Sequence, residues 1–242
     1  MQPKISVIIP AYNEEKLIGR SIEALQKQTL PSDQYEIIVI DNNSTDNTYA
    51  IAKNYKVSVY LYKEIQRVAA ARQFGASKAK APILAFMDAD SVADNDWLEA
   101  IVTHFAKNKS LMAVCGVALP NGGAMHVKMG FYSYNQFLRI NQLFGIVLAW
   151  GFNFAIRKSA FDRIGGYNLA LSSYDDAEIA LRVKRNFGKK SIYYSQKLRV
   201  YTSTRKHDNL KILAIYVADN VKNFVNVVIF KRSRVTEIRN VR

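Results

Sequence analysis

The stretch Ile83-Leu84-Ala85-Phe86-Met87-Asp88-Ala89-Asp90 decides the reading of this chain. Five apolar residues end abruptly in two carboxylates separated by one small residue. An apolar run of this length predicts a buried strand of a parallel sheet, and open α/β sheets bind ligands outside the carboxyl ends of their strands. Two carboxylates placed there repel each other unless a cation, or a ligand carrying one, sits between them. Asp88 and Asp90 are therefore candidate ligands for a hard metal ion, which would suit a diphosphate-bearing substrate. The competing reading is a turn in which both Asp residues merely cap the following helix.

Outward from this stretch the pattern alternates. Strands are predicted over residues 5–9, 35–40, 57–62, 83–87 and 112–118, from short apolar runs bounded by polar clusters. Helices are predicted over 14–28, 46–55, 67–80 and 95–107. In the first of these Leu17, Ile18, Ile22 and Leu25 share one face; in the last, Trp97, Leu98, Ile101, Val102 and Phe105 face inward. This βαβα order predicts an α/β fold with a mostly parallel central sheet flanked by helices. No internal repeat or low-complexity linker marks a boundary.

Two more strand ends are polar. The first strand runs into Pro10-Ala11-Tyr12-Asn13-Glu14-Glu15, with Asn13 a candidate N-cap, and free N–H groups at a helix start suit a phosphate or a base carbonyl. The second runs into Asp41-Asn42-Asn43-Ser44-Thr45-Asp46. Ser44, Thr45 and Asp46 are assigned to turn and capping chemistry, and Asp41, directly at the strand end, to a ligand. Three polar strand ends on one edge are harder to explain as three separate turns. Dinucleotide oxidoreductases and P-loop enzymes are disfavoured, because neither Gly-x-Gly-x-x-Gly nor Gly-x-x-x-x-Gly-Lys-Ser/Thr occurs. A sugar-nucleotide pyrophosphorylase would need a glycine-rich first loop, and residues 10–15 hold no glycine.

Composition sets the surroundings. With 242 residues, 49% of them hydrophobic, the chain can bury a proper core. Its single cysteine, Cys115, cannot form an intramolecular disulfide, which fits a reducing compartment. No signal peptide is expected, and no stretch reaches the roughly 18 apolar residues of a spanning helix. The formal net charge of +14 points to anionic partners: lipid, nucleic acid or phosphorylated substrates.

Four stretches together resemble the inverting glycosyltransferases of family 2, which have the GT-A fold. They are residues 5–14; residues 36–48; Ala71-Arg72 through Asp88-Ala89-Asp90; and Gly151-Phe152-Asn153 through Gly165-Gly166-Tyr167 to the Asp175–Arg182 stretch. The resemblance implies transfer of a sugar from a nucleoside diphosphate, UDP favoured and GDP possible, to a saccharide or lipid-linked acceptor. It implies that Pro10, Ala11, Tyr12, Asn13 and Glu14 line the base and ribose, with Asp41 accepting a hydrogen bond from the base and Asn43 beside it. Arg72 would lie over the base or against the phosphates. Asp90, and to a lesser degree Asp88 across Ala89, would hold Mg²⁺ or Mn²⁺ against the diphosphate. Gly151 and Asn153 fall on the acceptor side, and Asp176, with Asp175 beside it, matches the family's base. Both residues would equally suit a helix start, where Glu178 and Arg182 organise the helix. Many members carry a histidine metal ligand after a late strand; here Thr202 or Ser203 stands near that point. His207 could reach in, or Arg205 and Lys206 could supply positive charge to the diphosphate directly.

The expected organisation is a nucleotide-sugar-binding half (1–118), an acceptor and base half (119–208), and a C-terminal segment (209–242). Residues 131–154, rich in Phe and Tyr, read either as a core helix or as an apolar acceptor groove. Residues 210–230 read as an amphipathic helix followed by Lys231, Arg232, Arg234, Arg239 and Arg242, which suggests a cytoplasmic protein lying on the inner membrane face. A helix packed on the body, with a solvated basic tail, explains the pattern equally well. Two other functions compete: a nucleotide-sugar-binding protein without turnover, and a nucleic-acid-binding module. The second is not expected, since no aromatic residue lies among 232–242 to stack bases.

Overall fold

The computed structural model describes residues 2–143, 149–171 and 175–205. One sheet of eight strands organises them: β1 (Ile5–Ala11), β2 (Tyr35–Asp41), β3 (Ser58–Leu61), β4 (Ile83–Phe86), β5 (Ser91–Ala93), β6 (Ala113–Asn121), β7 (Phe154–Arg157) and β8 (Ile192–Ser203). Their order is β3-β2-β1-β4-β7-β6-β8-β5. β1, β2, β3 and β4 run parallel to one another, and β7 then enters antiparallel between β4 and β6. The helices are α1 (Ile18–Gln26), α2 (Thr48–Lys53), α3 (Val68–Lys78), α4 (Trp97–Lys107), α5 (Met125–Leu143), α6 (Lys158–Arg163) and α7 (Asp175–Phe187).

The central strands read as continuous apolar runs because both of their faces are covered. Ile8, Ile38, Ile40, Leu84 and Phe86 face one core, shared with α3, α6 and α7. Val7, Ile9, Val39, Ala85 and Met87 face the other, shared with α1 and α4. Neighbouring residues of one strand thus feed opposite cores, as the two-residue period of a strand requires. The alanine-rich α3 lies close on the sheet. A Cβ at Gly75 would come within 2.4 Å of Ile8 Cγ2, so only glycine permits this approach. That approach sets the height of Arg72, one turn earlier, above the end of β4.

Two local expectations are corrected. The first helix begins at Ile18, not near residue 14, and its flanking Leu17 makes no side-chain cap. Asn13 is not a cap: it sits at φ 54°, and its side-chain oxygen accepts the Thr45 N–H at 2.8 Å. Ser44 and Thr45 of the loop after β2 take the hydrogen bonds that Asn13 would otherwise offer the local helix. Asp88 and Asp90 likewise cap no helix. Ser91–Ala93 follows them as an edge strand, pairing antiparallel with Val200–Thr202 of β8.

Candidate active site

One wall of the candidate site is built from the loops after β1 and β2, tied together by their own polar groups. Ser44 Oγ accepts the Asn13 N–H at 3.0 Å, Thr48 Oγ1 accepts the Glu14 N–H at 2.7 Å, and Asp46 accepts the Glu15 N–H at 3.1 Å. Ser44 and Asp46 thus perform the turn and capping work expected of them, and they do it between loops as well as within one. Asp41 lies beneath this wall, 1% exposed. Its Oδ1 accepts the Ser44 N–H at 2.9 Å, while its buried Oδ2 has no hydrogen-bond partner among the described residues. An unmatched buried carboxylate oxygen is costly, and an N–H from a ligand would relieve it. Asn43, at φ 68°, is exposed beside it.

Asp88 and Asp90 leave β4 in different directions. Ala89 is buried between them, its carbonyl held by the Ser21 hydroxyl at 2.7 Å. Asp90 Oδ1 faces the hydroxyls of Ser91 and Thr202, each at 3.4 Å. Its Oδ2 lies 3.7 Å from the Arg205 guanidinium, which also pairs with Glu14 of the first loop. Thr202 therefore stands beside Asp90 where the resemblance led us to look for histidine. Carboxylate and hydroxyl oxygens match a hard divalent cation in chemistry. Among the described residues, no group of three His, Cys, Asp or Glu side chains is placed to hold one. His207 lies outside the described residues.

Arg72 joins the two sides. Its Nη2 donates to Asp88 Oδ1 at 2.8 Å and its Nη1 to Asp175 Oδ2 at 3.3 Å, with the guanidinium 6.0 Å from the Tyr167 ring centroid. Burial disfavours its charge, yet Asp88, Tyr167, Asp175 and Asp176 outweigh that and raise its pKa, so it stays charged. Tyr167 is held from behind by Gln73, whose Oε1 accepts the Tyr167 N–H at 2.9 Å. The sequence reading assigned no role to Gln73; its only signal was adjacency to Arg72. Asp176, at the first turn of α7, accepts the Gly151 N–H at 3.0 Å and the Ala177 N–H at 2.7 Å. Burial and the neighbouring Asp175 push Asp176 up to about 6, against the lowering pull of Arg72 and of those two N–H groups. A carboxylate tuned towards neutrality is suited to taking up a proton. Glu178 and Arg182 pair with each other at 2.6 Å, and Arg182 also donates to the Ile164 carbonyl, so both organise the helix.

Gly151 is packed closely between Arg72 and Asp176. A Cβ there would stand 2.7 Å from Arg72 Nη1 and 3.1 Å from Asp176 Cβ. Gly151→Ala must therefore displace the guanidinium or α7, and we expect turnover to fall about 100-fold, the scale of a 1 Å misplacement. Steady-state kinetics beside a thermal melt checks this. Asn153 is placed in the interior, at 0% exposure. Its amide accepts from the Trp97 ring at 2.9 Å and donates to the Val117 and Leu198 carbonyls. Its polar atoms thus brace β6, β8 and α4.

Sheet order, polar strand ends and the Asp-x-Asp step define a GT-A fold. The same architecture is found in a mannosyltransferase from Pyrobaculum calidifontis solved with GDP-Man and Mn²⁺, at a TM-score of 0.76 and 22% identity over 95% of this chain and 65% of that one. S. aureus TarS 1–349 in complex with UDP-GlcNAc matches at a TM-score of 0.68 and 17% identity, over 92% and 66%. The family model described as Glycosyl transferase family 2 matches residues 6–165, more than half of the chain. The chain belongs to that family. Among curated relatives, glycosyltransferase AglE of Haloferax volcanii is 38% identical over 40% of this chain and 34% of its own. The probable glycosyltransferase YdaM of Bacillus subtilis is 27% identical over 75% and 46%. The chain spans less than half the length of these curated relatives.

Proposed function

We propose that this chain moves a hexose from a nucleoside-diphosphate sugar to an acceptor hydroxyl by a single inverting displacement. UDP is the favoured donor nucleotide and GDP the other candidate. The acceptor is a saccharide or a lipid-linked group. The observation that carries the reading is the Arg72 bridge, in which one buried cation ties Asp88 at the donor strand end to Asp175, beside Asp176. Donor and base candidates thereby share one site.

In this reading Asp41 receives the N–H of the base, Pro10 to Glu14 with Asn43 flank base and ribose, and Asp176 takes the acceptor proton as its oxygen attacks the anomeric carbon. Asp175 and Arg72 hold Asp176 in place. Asp90 and Asp88 would hold Mn²⁺ or Mg²⁺, with diphosphate oxygens and water completing the ligand set; such an ion offsets charge on the leaving nucleoside diphosphate. Arg205, already beside Asp90, adds a second positive group there. In the same reading residues 1–118 form the donor half, 119–208 the acceptor half, and 209–242, which lie outside the described residues, an amphipathic helix with a basic tail. A place on the cytoplasmic face of a membrane fits the net charge of +14.

Thermal stabilisation by UDP, GDP, dTDP and CMP, each with and without Mn²⁺, tests the donor class, because a ligand of the folded state raises the melting temperature with occupancy. We expect a metal-dependent rise with UDP or GDP that disappears in Asp90→Ala. No rise with any nucleotide would overturn the donor assignment.

A further inference from the structure

The helix α5 is fixed on one face and bare on the other. Its inner face carries Val127, Phe131, Asn135 and Leu138. The Asn135 amide clamps the Ala118 backbone, donating to its carbonyl at 2.7 Å and accepting its N–H at 3.3 Å. Asn135 Oδ1 also accepts the Tyr194 hydroxyl at 3.1 Å. The helix therefore has one rotational setting. That setting turns Met125, Met129, Tyr132, Ile140 and Leu143 outward, 71%, 62%, 67%, 53% and 81% exposed. These residues lie close to whole helical turns apart and form one stripe.

The charge carried by α5 itself has one sign. α5 contains no Asp or Glu; its charged residues are Lys128 and Arg139. At its last turn, Leu143 and Arg139 enter a cavity of about 730 Å³ where Lys197 and Arg199 add positive charge against Asp94 and Asp96. The exposed Tyr193 lines the same cavity. Among the described residues no helix is long and apolar enough to cross a membrane. An apolar stripe with aromatic residues and basic flanks is instead the composition of a helix lying in a headgroup layer.

We propose that the outer face of α5 docks this protein onto an anionic lipid bilayer. Lipid phosphates are the partner that Lys128 and Arg139, on a helix with no acidic residue of its own, call for. A second copy of the chain would need the apolar stripe alone, and would bring the same positive charges against themselves. The inner side of the same helix explains what docking achieves, given the glycosyl-transfer reading on which this part rests. Phe131 and Tyr134 pack on Trp150, at 5.7 and 4.6 Å between ring centroids. Trp150 precedes Gly151, whose N–H holds Asp176. A lipid-borne acceptor reaching the α5 face thus arrives beside the segment that positions the base.

Flotation of the full-length protein with vesicles of phosphatidylcholine, with and without about one-third phosphatidylglycerol, tests the surface. We expect binding to the anionic vesicles, and a loss of at least about tenfold when Met129, Tyr132 and Ile140 are all changed to Glu. A Lys231→Glu/Arg232→Glu/Arg234→Glu protein should retain most of the binding. The proposal is overturned if only this second variant loses binding, or if wild type ignores vesicles and is a dimer that the stripe variant dissociates. A Tyr132→Cys protein labelled with an environment-sensitive dye guards against misfolding of the triple variant, since Cys115 is buried and stays unlabelled. Its emission should shift to the blue on anionic vesicles, and an unchanged spectrum also overturns the proposal. Nucleotide stabilisation is measured on the same samples. Its absence alongside intact vesicle binding would count against the transfer reading and leave the docking surface standing.

Discussion

If Asp176 is the base of the proposed transfer, Asp176→Asn should lower sugar transfer by about 10²–10⁴-fold, the usual contribution of a positioned general base, while nucleotide-induced stabilisation should stay at the wild-type level. The amide cannot take the acceptor proton, but it preserves the size of the side chain. It can also keep one of the two backbone hydrogen bonds that Gly151 and Ala177 now make to the carboxylate. In the wild type, the rate should fall as pH drops through about 6, where Asp176 gains its proton. Stability should move the other way. The folded-state pKa stands above the ordinary value of an aspartate, so between about 6 and 4 the folded protein binds this proton more readily than the unfolded chain. This group therefore favours folding at the lower pH, and its stabilising effect is lost as pH rises through 6. A pH–rate profile set beside a pH–melting profile separates the two. A rate limb that persists in Asp176→Asn with unchanged amplitude would assign the proton to another group.

Arg72→Leu should be the most damaging single change to the fold at the site. It leaves Asp88, Asp175 and Asp176 facing one another without their shared cation. Breaking a buried ion pair from one side costs about 3–5 kcal/mol. The Asp88 side chain is 35% exposed and hydrates when released, which places the effect near the lower end. For a domain of this size about 3 kcal/mol lowers the melting temperature by roughly 6–12 °C. Arg72 also lowers the Asp176 pKa, so the rate limb of whatever activity remains should move to higher pH. Arg72→Lys restores charge without the two-pronged geometry that reaches Asp88 and Asp175 together, and should fall between. A melting temperature within 2 °C of wild type in Arg72→Leu, well short of this estimate, would show that the bridge adds little to stability.

The parts of this molecule that were legible in its sequence are those in which neighbouring residues in the chain act together. Residues 36–41 and 83–88 announce a buried strand ending in a carboxylate, because burial on both faces demands an unbroken apolar run and only its end meets a ligand. Long-range partnerships left no such trace. Ser91–Ala93 is too short to show a period, and its partner strand lies more than a hundred residues later. The Arg72 bridge depends on how deeply α3 settles on the sheet, which Gly75 permits and which no local pattern around Arg72 reveals. Asn13 looked like a helix cap because a polar residue before an apolar stripe usually is one, yet the second loop offered it better partners. Asn153 looked like a ligand for its place beside Gly151, and its complete enclosure appears only when β6, β7 and β8 are assembled around it.

The stitching between the loops after β1 and β2 has a kinetic consequence. Asn13, Ser44, Thr45, Asp46 and Thr48 hold that wall through hydrogen bonds made wholly between groups of the protein itself. The ordering entropy of this part of the binding surface is therefore spent at folding, and little remains to be lost at encounter. Capture of the base should behave as a single diffusive step. In rapid mixing, the observed rate should climb in proportion to nucleotide concentration without reaching a plateau.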